Sequence, residues 1–170
     1  LGAVLASHDD TTQEHVQTSA FRGVKVAEFP TTAEAAAACR ENGIAIMMGA
    51  PNLIRGGSHS GNVSALELAK LDLLDIISSD YVPAALFQSA LLLAELWGDL
   101  PRAMRTVTSQ PAKSAGLTDR GQIAIGKRAD LTIFRKTEKF GHMQSVLCRG
   151  KGIFSPQAKS CKINMGQPVF

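Results

Sequence analysis

An apolar run, a polar cluster and a helix follow one another four times between Leu1 and Thr108, and few architectures accept that order. The apolar runs are Ala3–Ser7, Val24–Phe29, Ile44–Met48 and Leu73–Ile77. The intervening helices are expected over Thr11–Phe21, Ala33–Asn42, Val63–Lys70 and Pro83–Trp97, with a further one over Pro101–Thr108. Asp10 or Thr11 suits the cap of the first helix; Thr32 suits the N-cap and Gly43 the stop of the second. Strand–helix alternation of this kind predicts parallel strands joined by crossovers. Runs without polar alternation predict strands covered on both faces. Leu1–Ala6 already reads as buried strand, and a domain rarely opens in mid-core, so an N-terminal part is expected to be missing.

The polar clusters all fall at the carboxyl ends of strands: Ser7-His8-Asp9-Asp10, Ala27-Glu28-Phe29-Pro30, Gly49–Asn62 and Ser78-Ser79-Asp80. Parallel α/β folds place their chemistry at that end. The third cluster is a glycine-rich stretch, read as a loop whose bare backbone lets a ligand approach closely. Arg55 and the loop N–H groups suit an anion, phosphate being the commonest. No Gly-Lys-Ser/Thr follows, so it is not a Walker loop.

Composition narrows the functional classes. With 170 residues, 45% of them hydrophobic, the chain can bury a core. A net charge of +3 and an aromatic content of 5% argue against nucleic acid as a partner. The longest apolar run, Val82–Trp97, is interrupted by Pro83, Gln88, Ser89 and Glu95 and reads as a buried helix, so no membrane partner is expected. Cys39, Cys148 and Cys161 are odd in number and lack metal spacing, which suits reduced thiols and a cytoplasmic location. After Gln110-Pro111 the pattern changes. Gln122–Ile125, Asp130–Arg135 and Ser145–Arg149 are short β runs between turn residues, a small β unit. The expected division is therefore 1–110, 111–154 and a disordered tail over 155–170.

The run from Ala112 to Phe134, with its Asp119-Arg120-Gly121, Gly126-Lys127 and Ala129-Asp130-Leu131 elements, resembles the C-terminal signature of the amidohydrolase superfamily. Ser7–Asp10, Ala27–Thr32, Met48–Asn62 and Ser78–Pro83 together resemble one branch of it, the metal-dependent hydrolases of phosphonate metabolism. The resemblance covers Leu1–Phe154. It implies the C-terminal half (strands five to eight) of a (β/α)8 TIM barrel, followed by part of a small β-sandwich. It also implies hydrolysis of α-D-ribose 1-methylphosphonate 5-triphosphate to the 5-phosphate and pyrophosphate. The earlier strands, with the family's His-x-His pair and usually a modified Lys, lie outside this sequence.

By the same resemblance His8 and Asp80 are metal ligands, and Asp80 also takes a proton from the attacking water. Glu28 stands where many relatives carry a second metal-binding His, and a carboxylate there could hold Zn²⁺, Mg²⁺ or Mn²⁺, zinc being the first expectation. Each has a plainer use: His8 and Asp80 as caps, Glu28 as a partner for backbone or Arg. Asn52, Arg55, Ser58, His59, Ser60 and Asn62 are the substrate-binding candidates, because phosphoryl oxygens require cations and donors. His59 could bind phosphate, protonate the leaving group or ligate the metal. Asp9 and Asp10 read as capping or supporting groups, and Lys127, Arg128 and Asp130 as structural.

The expected partners are a small phosphorylated ribose and either a second copy of the chain or the missing N-terminal half, since half a barrel exposes strand edges. Two other readings are a C–N hydrolase or deaminase on the same fold, and a non-catalytic binding or assembly module.

Overall fold

The computed structural model describes residues 2–57, 61–137 and 141–156. Four parallel strands, β1 (Ala6–His8), β2 (Val26–Glu28), β3 (Ala45–Gly49) and β4 (Ile76–Ser78), form one sheet in the order β1-β2-β3-β4. Between them run α1 (Gln13–Phe21), α2 (Ala33–Glu41), α3 (Ala50–Arg55) and α4 (Ala65–Lys70). After β4 come α5 (Ala85–Trp97), α6 (Leu100–Arg105) and α7 (Ser109–Ser114). A second, antiparallel sheet contains β5 (Leu131–Lys136), β6 (Gly141–Cys148) and β7 (Lys151–Phe154).

The capping residues explain where the helices begin. Thr12, Thr32 and Ser64 are N-caps whose side chains accept from His15 N, Ala35 N and Glu67 N. Asp99 does the same for α6, accepting from Arg102 N. The first cap is thus Thr12. Asp10 is instead buried, accepting from Ser7 Oγ at 2.6 Å and from Ser19 Oγ. It ties the end of β1 to α1.

Register explains the core. Ala27 pairs with Ile46 and Met48 with Ile77. Because side chains alternate along a strand, these four share one face. All are at most 2% exposed and pack with Val16, Ala36, Cys39, Leu68 and Leu93 from the helices. Burial raises the Cys39 thiol to a pKa of about 11, so it stays protonated and acts as an apolar filler.

Several expectations change. On the face away from the core the strands are covered only in part: Val26 and Ile76 are buried there, whereas His8, Glu28, Met47 and Ser78 are exposed or half-buried. Residues 2–6 are exposed rather than a buried strand, and β1 starts at Ala6. The glycine-rich stretch is not all loop. Pro51 fits the first helical turn and Gly56 the left-handed stop (φ 76°), and α3 forms between them. β4 starts after Asp75, whose Oδ2 accepts from Ile46 N at 2.9 Å while its own N–H donates to Ile46 O. Gln122–Ile125 forms no strand, Ile123 and Ile125 being 88% and 106% exposed. The expected break at residue 110 falls inside α7. Residues 157–170 of the expected tail, with Cys161, lie outside the described residues. No helix among the described residues is long and apolar enough to cross a membrane.

The β unit is fastened by the residues read as structural. Asp130 accepts from Arg149 N at 2.9 Å and pairs with Arg128 at 2.8 Å; Asp119 pairs with Arg120 at 2.7 Å. The Arg120 side-chain hydrogen bond holds the Asp119 carboxyl below the usual range, and the Arg149 N–H does the same for Asp130. Both bind protons more weakly folded than unfolded, so their contribution is complete above the ordinary aspartate pKa of about 4. It disappears as pH falls through the depressed values. Thermal unfolding followed from pH 6 to pH 2.5 should show a fall in stability at the acid end that is smaller in Asp130→Ala. An equal fall in both would contradict this.

Candidate active site

The carboxyl ends of the four parallel strands form a rim that collects His8, Glu28, Gly49 and Asp80. His8 and Glu28 are register partners across β1–β2, and such neighbouring strands lie about 4.8 Å apart. Met47 continues that row on β3. Gly49 pairs with Ser78 one step further along. Ser78 Oγ is buried without a hydrogen-bond partner among the described residues.

Three residues on this rim leave their strands in the left-handed region: Asp9 (φ 60°), Phe29 (φ 55°) and Asp80 (φ 49°). Aspartate tolerates that conformation; for phenylalanine it costs roughly 1–2 kcal/mol. The surroundings hold Phe29 there. Its N–H donates to Met47 O at 2.9 Å, and Asp9 N donates to Glu28 O at 3.0 Å. Strain of this kind gathers where side chains must be aimed.

What the conformation achieves is visible at Gly49. A Cβ on Gly49 would lie 2.9 Å from Asp80 Oδ2 and 3.1 Å from Phe29 Cε1. The Asp80 carboxylate and the Phe29 ring thus converge on the bare backbone of Gly49. On its other side Phe29 meets the His8 ring edge-on, centroids 5.4 Å apart. Phe29 therefore stands between His8 and Asp80. His8 Nδ1 contacts Asp9 Oδ2 at 3.0 Å, both side chains being more than half exposed. Glu28 is half-buried.

α3 carries the remaining candidates. The Arg55 guanidinium lies over the Tyr81 ring at 5.6 Å, which brings the end of α3 to the residue after Asp80. Asn52 Oδ1 accepts from Ala65 N at 2.8 Å, so its oxygen fastens the start of α4. Asn62 is exposed, and beside it Val63 N donates to Thr31 O, tying this segment to the β2 end. Ser58, His59 and Ser60 lie outside the described residues. Gly49 and Phe29 are the rim residues that sequence reasoning passed over. The signal was available: a glycine closing an otherwise bulky strand implies close approach by something.

Among the described residues no three His, Cys, Asp or Glu side chains are gathered closely enough to hold a metal ion. The donors His8, Glu28 and Asp80 are spread along β1, β2 and the segment after β4, with Phe29 between the outer two. The described part of this chain does not by itself fit a complete metal centre.

The chain is 51% identical over 153 residues to the α-D-ribose 1-methylphosphonate 5-triphosphate diphosphatase of Escherichia coli (strain K12), a match over 88% of this chain and 40% of that protein. The chain thus spans two-fifths of the length of that relative. Among solved structures it is similar to an amidohydrolase from Thermotoga maritima MSB8, with a TM-score of 0.70 at 20% identity over 89% of this chain and 43% of that one. It is also similar to the β-aspartyl dipeptidase of Fervidobacterium islandicum AW-1, with a TM-score of 0.62 at 17% identity over 84% and 44%. These two likenesses concern the fold. Amidohydrolase superfamily members are generally metal-dependent. The model of the amidohydrolase family matches residues 6–147, and the chain belongs to that family.

Proposed function

We propose that this chain forms the C-terminal part of a metal-dependent phosphoric anhydride hydrolase. It would convert α-D-ribose 1-methylphosphonate 5-triphosphate to the 5-phosphate and pyrophosphate in the cytoplasm. The observation that carries the reading is the 51% identity to a diphosphatase of that substrate, maintained over 88% of this chain. The placement of the Asp80 carboxylate over Gly49, at the carboxyl end of the sheet, supports it. In this reading β1–β4 are strands five to eight of a (β/α)8 barrel, and the β5–β7 sheet is part of a β-sandwich.

Asp80 would accept a proton from the water that attacks phosphorus. Arg55, at the end of α3 beside Tyr81, would neutralise phosphoryl oxygens as pyrophosphate leaves. Ser58, His59, Ser60 and Asn62 would complete the phosphate contacts, with the Asn52 amide nitrogen beside them. A divalent cation, zinc before magnesium or manganese, would supply Lewis acidity. It would draw donors from His8, Glu28 and Asp80 together with donors from outside this chain. β1 and β4 are the two edges of the parallel sheet, and Val4 and Leu5 beside β1 are 43% and 52% exposed. An N-terminal half-barrel or a second copy would pair there.

The test is product analysis on a polypeptide carrying both halves. With the ribose triphosphate as substrate, pyrophosphate and the 5-phosphate should appear in equal amounts. Release of ammonia or a carboxylate from a C–N substrate, without pyrophosphate, would select the C–N hydrolase or deaminase. Neither activity, with no divalent metal retained, would select the binding or assembly module.

A further inference from the structure

A groove of about 410 Å³ lies between α7 and the segment that leads into β5, and none of its lining residues belongs to the rim described above. Lys113, Arg120 and Lys127 line it, together with Gln110, Thr118 and Gln122. No carboxylate lines it. Asp119 offsets part of the charge: it takes Arg120 Nε at 2.7 Å and Nη2 at 3.1 Å, leaving Nη1 without a partner among the described residues. Lys127 donates Nζ to Thr118 O. Lys113 is exposed, and its ammonium has no ion-pair or hydrogen-bond partner among the described residues.

The walls are fixed. Gly121, at φ 91°, sits so close to α7 that a Cβ there would lie 2.6 Å from Ala112 Cβ and 3.1 Å from Ser109 Cα. Leu117 N donates to Ala112 O at 2.8 Å, and Arg128 N to Asp119 O at 2.7 Å. The turn that carries Arg120 and Lys127 is therefore pressed onto the helix that carries Lys113. The adjoining groove of about 280 Å³ makes the contrast. It shares Gln110 and has three arginines, of which Arg40 and Arg102 are paired with Asp75 and Asp72. Two carboxylates thus sit in its lining, whereas the first groove has none.

We propose that the Lys113–Arg120–Lys127 groove is a second anion site, built for a small phosphate-bearing ligand of diphosphate type. Three cationic residues line it together with Gln110, Gln122 and Thr118, so one groove offers both positive charge and neutral donors. Such donors match the several oxygens of a diphosphate better than a single carboxylate. The site is separate from the proposed hydrolytic rim and does not depend on that reading.

The probe is inorganic pyrophosphate, titrated calorimetrically into the full chain at low ionic strength, with inorganic phosphate and citrate as comparators. Saturable binding is expected, tighter for pyrophosphate than for either comparator, and weakening as salt rises. Lys113→Gln removes a group that holds nothing else in place, so it should weaken binding about tenfold without altering the fold. Lys127→Gln should add to the loss. Arg102→Gln, in the adjoining groove, should leave the affinity unchanged. Affinity lost in Arg55→Gln and kept in Lys113→Gln would place the anion on the rim and overturn the proposal. So would the absence of saturable binding at millimolar pyrophosphate, or citrate binding as tightly as pyrophosphate.

Discussion

Asp80→Asn, in a polypeptide carrying both halves, is expected to lower turnover about 10²–10⁴-fold, because the amide cannot take a proton from water. The fold should survive. Asp80 already occupies a left-handed conformation that Asn also accepts, and its carboxylate is packed against a glycine rather than held in an ion pair. Gly49→Ala separates position from chemistry. Its added Cβ would lie 2.9 Å from Asp80 Oδ2, so the carboxylate must move while remaining ionisable. Turnover should fall in both variants, but less in Gly49→Ala, which keeps a carboxylate able to take the proton. Steady-state rates for the two variants are the measurement. An Asp80→Asn protein with undiminished turnover would remove Asp80 from the chemistry.

Ile46→Ala should destabilise the chain by about 2–5 kcal/mol, the usual cost of emptying a fully buried aliphatic site. Ile46 is 0% exposed and stands on β3, an inner strand of the parallel sheet. Its backbone is bracketed by Asp75, whose carboxylate accepts the Ile46 N–H while its amide donates to the Ile46 carbonyl. The strand cannot slide to fill the void without breaking both bonds. A urea midpoint shifted with an unchanged slope would report this directly. A change below about 1 kcal/mol would mean that the helices collapse into the space, contrary to the rigidity implied by that bracket.

The alternation of elements was legible in the sequence because it rests on local signals. Thr32 and Gly43 mark α2, and the apolar runs mark the strands. The length of α3 was not, because four glycines in that stretch outweighed the helical tendency of Asn52-Leu53-Ile54-Arg55 between Pro51 and Gly56. β7 was missed for a similar reason. Its turn is Arg149-Gly150, both at positive φ, and only glycine announces such a turn from sequence. Asp75 was read as strand interior, since nothing local reveals a carboxylate that serves a strand 29 residues away. On the rim, His8, Glu28 and Asp80 could be placed at strand ends by pattern. The convergence of Phe29 and Asp80 on Gly49 is a tertiary contact between three strand ends, and no window of sequence contains it.

Gly141 shows how the two sheets depend on each other. A Cβ there would lie 2.3 Å from Phe87 Cε1 and 2.7 Å from Leu91 Cδ1, and Phe134 on the paired strand meets Phe87 edge-on at 4.7 Å. Phe87 and Leu91 belong to α5, the helix that follows Asp80. The three-stranded sheet and this helix must therefore be inherited as one block. A chimera that exchanges residues 131–154 for those of a relative has to carry matching residues at positions 87 and 91, or the graft will press on the helix that leads away from Asp80.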